Sequence, residues 1–363
     1  MTRTLVKPDI RRPTDIDVAW LTAVLQGQGV DAVVRSFEAR NVGTGQIGES
    51  LRFKLTYDRD AEGAPRSLVG KFPSPDETSR QTGIMLSNYL REVRFYQQLA
   101  PNALVRTPRC WLADTNADGG EFVLIMEDLA PAEQGDQLKG VTLDQARQVL
   151  EQAARLHASH WGDDSLEELP WVSGSKAAPP SAVTPELVGQ LWQGFLARYA
   201  DRLQPYWIEV GEALTANWGQ YTHIHDGPRC LTHNDFRPDN MMFATPAGGH
   251  PVTVLDWQSF AYGAGATDVA YFLAGALPPE VRRGNEAELL ALYHRHLTDL
   301  GVAGYPMVDL QRHYAQGGFL LFLTAFFASM VVIQTPRGDD MFMQMLGSAC
   351  EHIRDHDALK ALA

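Results

Sequence analysis

The stretch from Leu231 to Gln258 constrains this chain more than any other. It reads LTHNDFRPDNMMF and, after a short gap, VTVLDWQ. An Asp (Asp235), an Asn five residues on (Asn240) and a second Asp (Asp256) closing a run of β-formers form a set suited to phosphoryl transfer. In such a set one carboxylate takes the proton of an attacking hydroxyl. The amide oxygen and the other carboxylate hold magnesium on the ATP phosphates. A short loop would present Asp235 and Asn240 together, and a hairpin would return the chain to place Asp256 beside them. Asp and Asn also populate ordinary turns because their side chains bond nearby backbone, so HNDFRPDN alone also suits a polar loop.

The segment resembles the H-x-D-x-x-x-x-N loop and later metal-binding Asp of kinases. HNDFRPDN and DWQ are closer in look to the aminoglycoside phosphotransferase and choline kinase branch than to protein kinases. Within that branch they look most like ecdysteroid-kinase-like small-molecule kinases and the phosphotransferase domains fused to acyl-CoA dehydrogenases. The resemblance runs from about Asn41 to Asp268. Two residues depart from it. Asn234 stands where the family has Gly, tolerable in a left-handed conformation, and Gln258 replaces the glycine of D-F-G, so a flip of this segment is not implied.

Upstream, NVGTGQIG supplies Gly43, Gly45 and Gly48 in a G-x-G-x-x-G pattern that also marks dinucleotide-binding folds. There a helix must follow. Here ESLRFKLTY alternates Leu51, Phe53, Leu55 and Tyr57 with Arg52 and Lys54, the period of a strand. A glycine turn between two strands suits a phosphate-covering hairpin, and also a plain hairpin. SLVGKF then carries Lys71, and the amphipathic LSNYLREVRFYQQL carries Glu92. In kinase-like folds a strand Lys binds phosphates and a helix Glu orients it. Arg91 and Arg94 are alternative partners for Glu92. The apolar strand EFVLIMEDLAP falls where the resemblance puts the interlobe hinge. That resemblance implies adenine contacts from the backbone between Glu127 and Leu129.

Thr142 to Trp161 reads as a helix ending ARLHASHW, with His157 bonded under the catalytic loop rather than holding metal with His160. Pro170 to Pro185 reads as a loop. Beyond it, helices reach about Trp218 and carry Trp192, Phe195, Tyr199, Tyr206 and Trp207 as core or acceptor wall. Asp268, in GAGATDVAYFL, suits a buried structural role near the catalytic loop or a helix cap. Arg237 suits an anionic acceptor group or a neighbouring carboxylate equally.

A length of 363 residues allows two domains, and a net charge of −13 argues against a nucleic-acid or anionic-membrane surface. Cys110, Cys230 and Cys350 show no disulfide or metal spacing, which suits a reducing compartment. The first residues lack an apolar signal region. Gly317 to Ile333 is uncharged and nearly long enough to span a bilayer, yet suits a central core helix better.

The expectation is an α+β, bilobal protein-kinase-like fold, with a β-rich nucleotide lobe over 1–127 and a helical lobe over 128–363. ATP would lie between them, and a cytoplasmic O-kinase would phosphorylate a small-molecule hydroxyl acceptor using ATP and Mg2+. Asp235 would act as base, with Gly43, Gly45, Gly48, Lys71, Glu92, Glu127 and Leu129 around the nucleotide and Asn240 and Asp256 on the metal. The alternative is a ligand-binding pseudokinase. No A-P-E segment supports a protein kinase. The acceptor would dock against helices within 186–218, with no nucleic-acid partner and no membrane span. Oligomeric state is not legible.

Overall fold

A computed structural model describes residues 8–43, 48–179 and 181–362. The chain forms two compact units. The first comprises Met1–Asn102, Thr107–Ala130 and Asp256–Gln258; the second comprises Ala103–Arg106, Pro131–Leu255 and Ser259–Ala363.

In the first unit, helix α1 (Val18–Gly27) starts at Asp17, whose carboxylate accepts the Trp20 N–H at 2.7 Å. Such a cap satisfies a donor that the first helical turn leaves unpaired. Then come strands β1 (Val34–Asn41), β2 (Gly48–Tyr57) and β3 (Ser67–Pro73), helices α2 (Glu77–Met85) and α3 (Asn88–Arg94), and strands β4 (Cys110–Thr115) and β5 (Phe122–Glu127). The five strands form one antiparallel sheet in the order β1-β2-β3-β5-β4. The alternation read in ESLRFKLTY is realised: Leu51, Phe53 and Leu55 are buried, and they pack with Trp20, Leu21 and Leu25 of α1. α3 continues into a π-helical turn, Phe95–Leu99.

The second unit begins with β6 (Glu133–Gln134) and α4 (Leu143–Ser159), whose start carries a complete capping box between Thr142 and Gln145. Helices α5 (Pro185–Arg198), α6 (Pro205–Ala216) and α7 (Trp218–Tyr221) follow. Next are short strands β7 (Cys230–Thr232), β8 (Met241–Thr245), β9 (Gly248–Val254) and β10 (Ala261–Gly263). Helices α8 (Ala266–Ala276), α9 (Pro279–Asp299), α10 (Met307–Val331) and α11 (Pro336–Asp355) complete it. β7 pairs with β10, and β8 lies between β6 and β9.

α10 is the one described helix long and apolar enough to cross a membrane, and 61% of its apolar window is buried inside the protein. Phe319, Leu321, Phe322, Ala325 and Phe326 meet Leu346 and Ile353 of α11 and Tyr271 of α8 in the main core. That packing explains why the helix is apolar on every side. Trp192, Phe195 and Tyr199 belong to the same core, each no more than 2% exposed. On α5 the aromatic stripe is therefore core.

Candidate active site

In the first unit the site is built on the sheet. Gly43 has φ +78°, a conformation that favours glycine, and Asn41 pairs with Leu51 across the β1–β2 hairpin. Gly45 lies outside the described residues. Gly48 faces Pro73 on β3, and a side chain there would stand 3.5 Å from Cε of Lys71. From β3, the Lys71 ammonium donates to Glu92 Oε2 at 2.7 Å and to Asp256 Oδ1 at 3.1 Å. Lys71 is thus the centre of a triad with two carboxylates. Burial alone would lower the Lys71 pKa, but Asp256 and Glu92 outweigh it and hold the ammonium above its ordinary range. For Glu92, 3% exposed, burial pushes the carboxyl up against the pull of Lys71.

Asp256 belongs to this unit because its neighbour is anchored there. Trp257 is fully buried and stacks on Phe95 with centroids 4.0 Å apart and planes 5° from parallel. Asp256 itself has φ +62°, strained for a residue other than glycine. Gln258 Nε2 donates to its Oδ2 at 3.3 Å.

At the end of β5, the Glu127 N–H donates to the Arg109 carbonyl at 2.8 Å, and its carboxylate accepts the Arg109 N–H at 2.9 Å. Asp128 ties this segment to the sheet by accepting from Arg52 (2.8 Å) and Ser67 (2.6 Å). Leu129 follows, half-buried.

In the second unit, β7 delivers the loop from His233 to Arg237, and a single 3-10 turn, Pro238–Asn240, leads into β8. Asn234 has φ +63°, the conformation for which its usual glycine counterpart is suited. The His233 N–H and Asn234 N–H donate to Asp268 at 2.6 and 2.9 Å. His157 Nε2 lies 3.2 Å from the same carboxylate, and its Nδ1 is 2.8 Å from the Tyr293 hydroxyl. The close approach requires Gly265, where a Cβ would stand 2.8 Å from the His157 ring. Asp268 lies within the first turn of α8, whose N-cap is Gly265, so it ties down the loop rather than capping its helix.

The loop aims Asp235 at a ring of donors. The Asn240 amide donates to its Oδ2 at 2.7 Å and to its backbone carbonyl at 2.9 Å. The Tyr271 hydroxyl donates to its Oδ1 at 2.9 Å, and Arg237 Nε lies 3.0 Å from that oxygen. Burial opposes ionisation of Asp235, but Arg237, His233, Tyr271 and Asn240 together hold its carboxyl below the ordinary carboxylate range. Arg237 also bonds Asp239 at 2.7 Å, so of its two readings the structure has the one toward neighbouring carboxylates. Asn240, turning its Nδ2 to Asp235, leaves its Oδ1 for another partner. An amide oxygen of this kind is among the hard donors magnesium takes, as is a carboxylate such as that of Asp256 in the first unit.

Tyr271 was missed in the sequence, although its place three residues after Asp268 puts both on one face of α8. It also bonds Thr324 of α10. Thr324 lines a shallow, open apolar pocket of about 370 Å³ with Trp218, Tyr221, Leu320, Leu323, Phe327 and Ala328. That open pocket lies one tyrosine away from Asp235.

Three solved structures share the fold. A candidate aminoglycoside phosphotransferase from Ralstonia eutropha matches with a TM-score of 0.54 at 15% identity, over 94% of this chain and 98% of its own. An ethanolamine kinase from Plasmodium vivax matches with a TM-score of 0.53 at 12% identity, over 91% of this chain and 87% of its own. A microcompartment-associated aminopropanol kinase matches with a TM-score of 0.52 at 15% identity, over 94% of this chain and 99% of its own. No curated protein matches the sequence. The family model described as the phosphotransferase enzyme family matches residues 49–303, and the chain belongs to that family.

Proposed function

We propose that the protein is an ATP-dependent O-phosphotransferase whose acceptor is a predominantly apolar alcohol. Phosphoryl transfer asks little covalent chemistry of a protein; it needs positioning and neutralisation of charge on the transferred group. Lys71, held by Glu92 and Asp256, would contact the α- and β-phosphates, with Gly48 beside its side chain. Backbone groups from Glu127 to Leu129 bind the adenine. Asn240 and Asp256 would hold magnesium, which would supply charge neutralisation on the phosphates. Asp235 accepts the hydroxyl proton as the oxygen attacks phosphorus. Tyr271, Arg237 and Asn240 keep it ionised and aimed.

The observation that carries the substrate class is the open apolar pocket against Thr324, whose Trp218, Leu320, Leu323 and Phe327 walls offer no counter-charge to a polycation. The proposed acceptor wall takes Trp218, at the end of the 186–218 segment expected to flank the catalytic loop, together with Leu320, Leu323 and Phe327 of α10. The test is ADP release across hydroxyl compounds graded by charge and hydrophobicity. Apolar alcohols should turn over fastest, and Leu323→Trp should raise their KM while leaving nucleotide affinity unchanged. Turnover confined to polycationic amino sugars, unaffected by Leu323→Trp, would refute the substrate class.

A further inference from the structure

Away from this site, α9 and α11 bring Glu286, His352 and His356 together, with one potential ligand atom from each lying within 4.8 Å of the others. His352 and His356 are one helical turn apart, so their rings share a face, centroids 4.6 Å apart. His352 is fully buried, and its Nε2 donates to the Tyr314 carbonyl at 3.0 Å. That bond puts the ring hydrogen on Nε2 and leaves Nδ1 a bare acceptor. Nδ1 has no hydrogen-bond partner among the described residues, a costly state for a buried polar atom. His356 Nε2 lies 3.1 Å from Glu286 Oε1.

The surroundings are those of a built site. A metal-binding histidine characteristically donates its other N–H to a carbonyl or carboxylate, which fixes tautomer and ring orientation. His352 already does so. Glu286 Oε2 accepts from the Tyr314 hydroxyl at 2.8 Å and from Arg282, which leaves Oε1 turned to the histidines. Asp355 also pairs with Arg282, so the Arg282 charge stays matched. Gly318 of α10 makes room: a side chain there would overlap the His352 ring.

We propose that His352 Nδ1, His356 Nε2 and Glu286 Oε1 bind a divalent transition-metal cation of the zinc class, clamping α11 to α9. Two imidazoles and a carboxylate favour zinc over the oxygen-seeking magnesium. Tetrahedral ligands at about 2.0–2.1 Å from the ion stand roughly 3.4 Å apart, within reach of small side-chain adjustments. His356 is 22% exposed, so water can complete the fourth position.

The test uses untagged, chelator-stripped full-length protein titrated with ZnCl2 by calorimetry in excess magnesium, with CoCl2 as spectroscopic probe. One ion per chain should bind, with tetrahedral cobalt absorption, and zinc should raise Tm. His356→Ala should lower affinity by more than about 100-fold, beyond the cost of losing an outer-shell partner, and abolish both signals. Glu286→Gln should weaken binding in the same direction, and gives an independent reading should His356→Ala misfold. Absence of stoichiometric binding to wild type, or equal affinity in wild type and either folded variant, would overturn the proposal.

Discussion

Asp268→Ala should unfold the support of the catalytic loop more than it disturbs α8. The carboxylate is fully buried and accepts from two backbone donors, His233 at 2.6 Å and Asn234 at 2.9 Å, beside His157 at 3.2 Å. Removing it strands both N–H groups. At about 1–3 kcal/mol for each buried donor left unpaired, the loss is roughly 2–6 kcal/mol, before any water enters the gap. Asp268→Asn keeps one acceptor oxygen and turns an amide donor toward another donor, so it should lose about half as much. Urea unfolding gives the stability difference, and hydrogen exchange at the amides of residues 233 and 234 gives the local effect. Both amides should be protected in wild type and should exchange rapidly in Asp268→Ala. A variant within about 0.5 kcal/mol of wild type, the size of an ordinary surface substitution, with equal protection would refute the reasoning.

Glu92→Ala should weaken nucleotide binding and lower stability by less than the roughly 3–5 kcal/mol typical of a broken buried pair, because Asp256 still holds Lys71; calorimetry and denaturant unfolding check both. Gly265→Ala sets a Cβ 2.8 Å from the His157 ring and 3.0 Å from Cys230 Sγ and should cost about 1–3 kcal/mol; an unchanged Tm counts against that packing. Burial opposes ionisation of Asp128, but Ser67 and Arg52 outweigh it and lower its pKa. Its contribution is therefore full above the ordinary carboxylate range and is lost as pH falls through the lowered folded value. Asp128→Asn should flatten that acid limb in pH-dependent unfolding, and an identical limb would contradict the assignment.

How much was legible depended on whether the information was local. The spacing of Asp235 and Asn240 sits within one short loop, so it could be read directly, as could the strand period of Leu51, Phe53 and Leu55. Lys71 and Glu92 were readable through element order, since a strand Lys followed by a helix Glu suits few arrangements. Helical periodicity does not tell core from pocket: it left Trp192, Phe195 and Tyr199 open, and they are core. Tyr271 was overlooked because a buried tyrosine in an apolar helix looks like packing until its hydroxyl partner is known. Glu286 and His352 are far apart in sequence, and only the packing of α9 on α11 makes them neighbours.

The most direct test of the central claim is single-turnover phosphoryl transfer by Asp235→Asn, run on the best acceptor from the alcohol screen with magnesium and ATP binding measured in parallel. The substitution keeps the shape of the side chain and removes the proton acceptor. Transfer should fall by about 10²–10⁴-fold, the range supplied by a positioned general base, while magnesium-dependent ATP affinity is retained. Asp256→Ala should show the reverse emphasis, with ATP affinity itself lost. Wild-type transfer rates in Asp235→Asn would contradict the account.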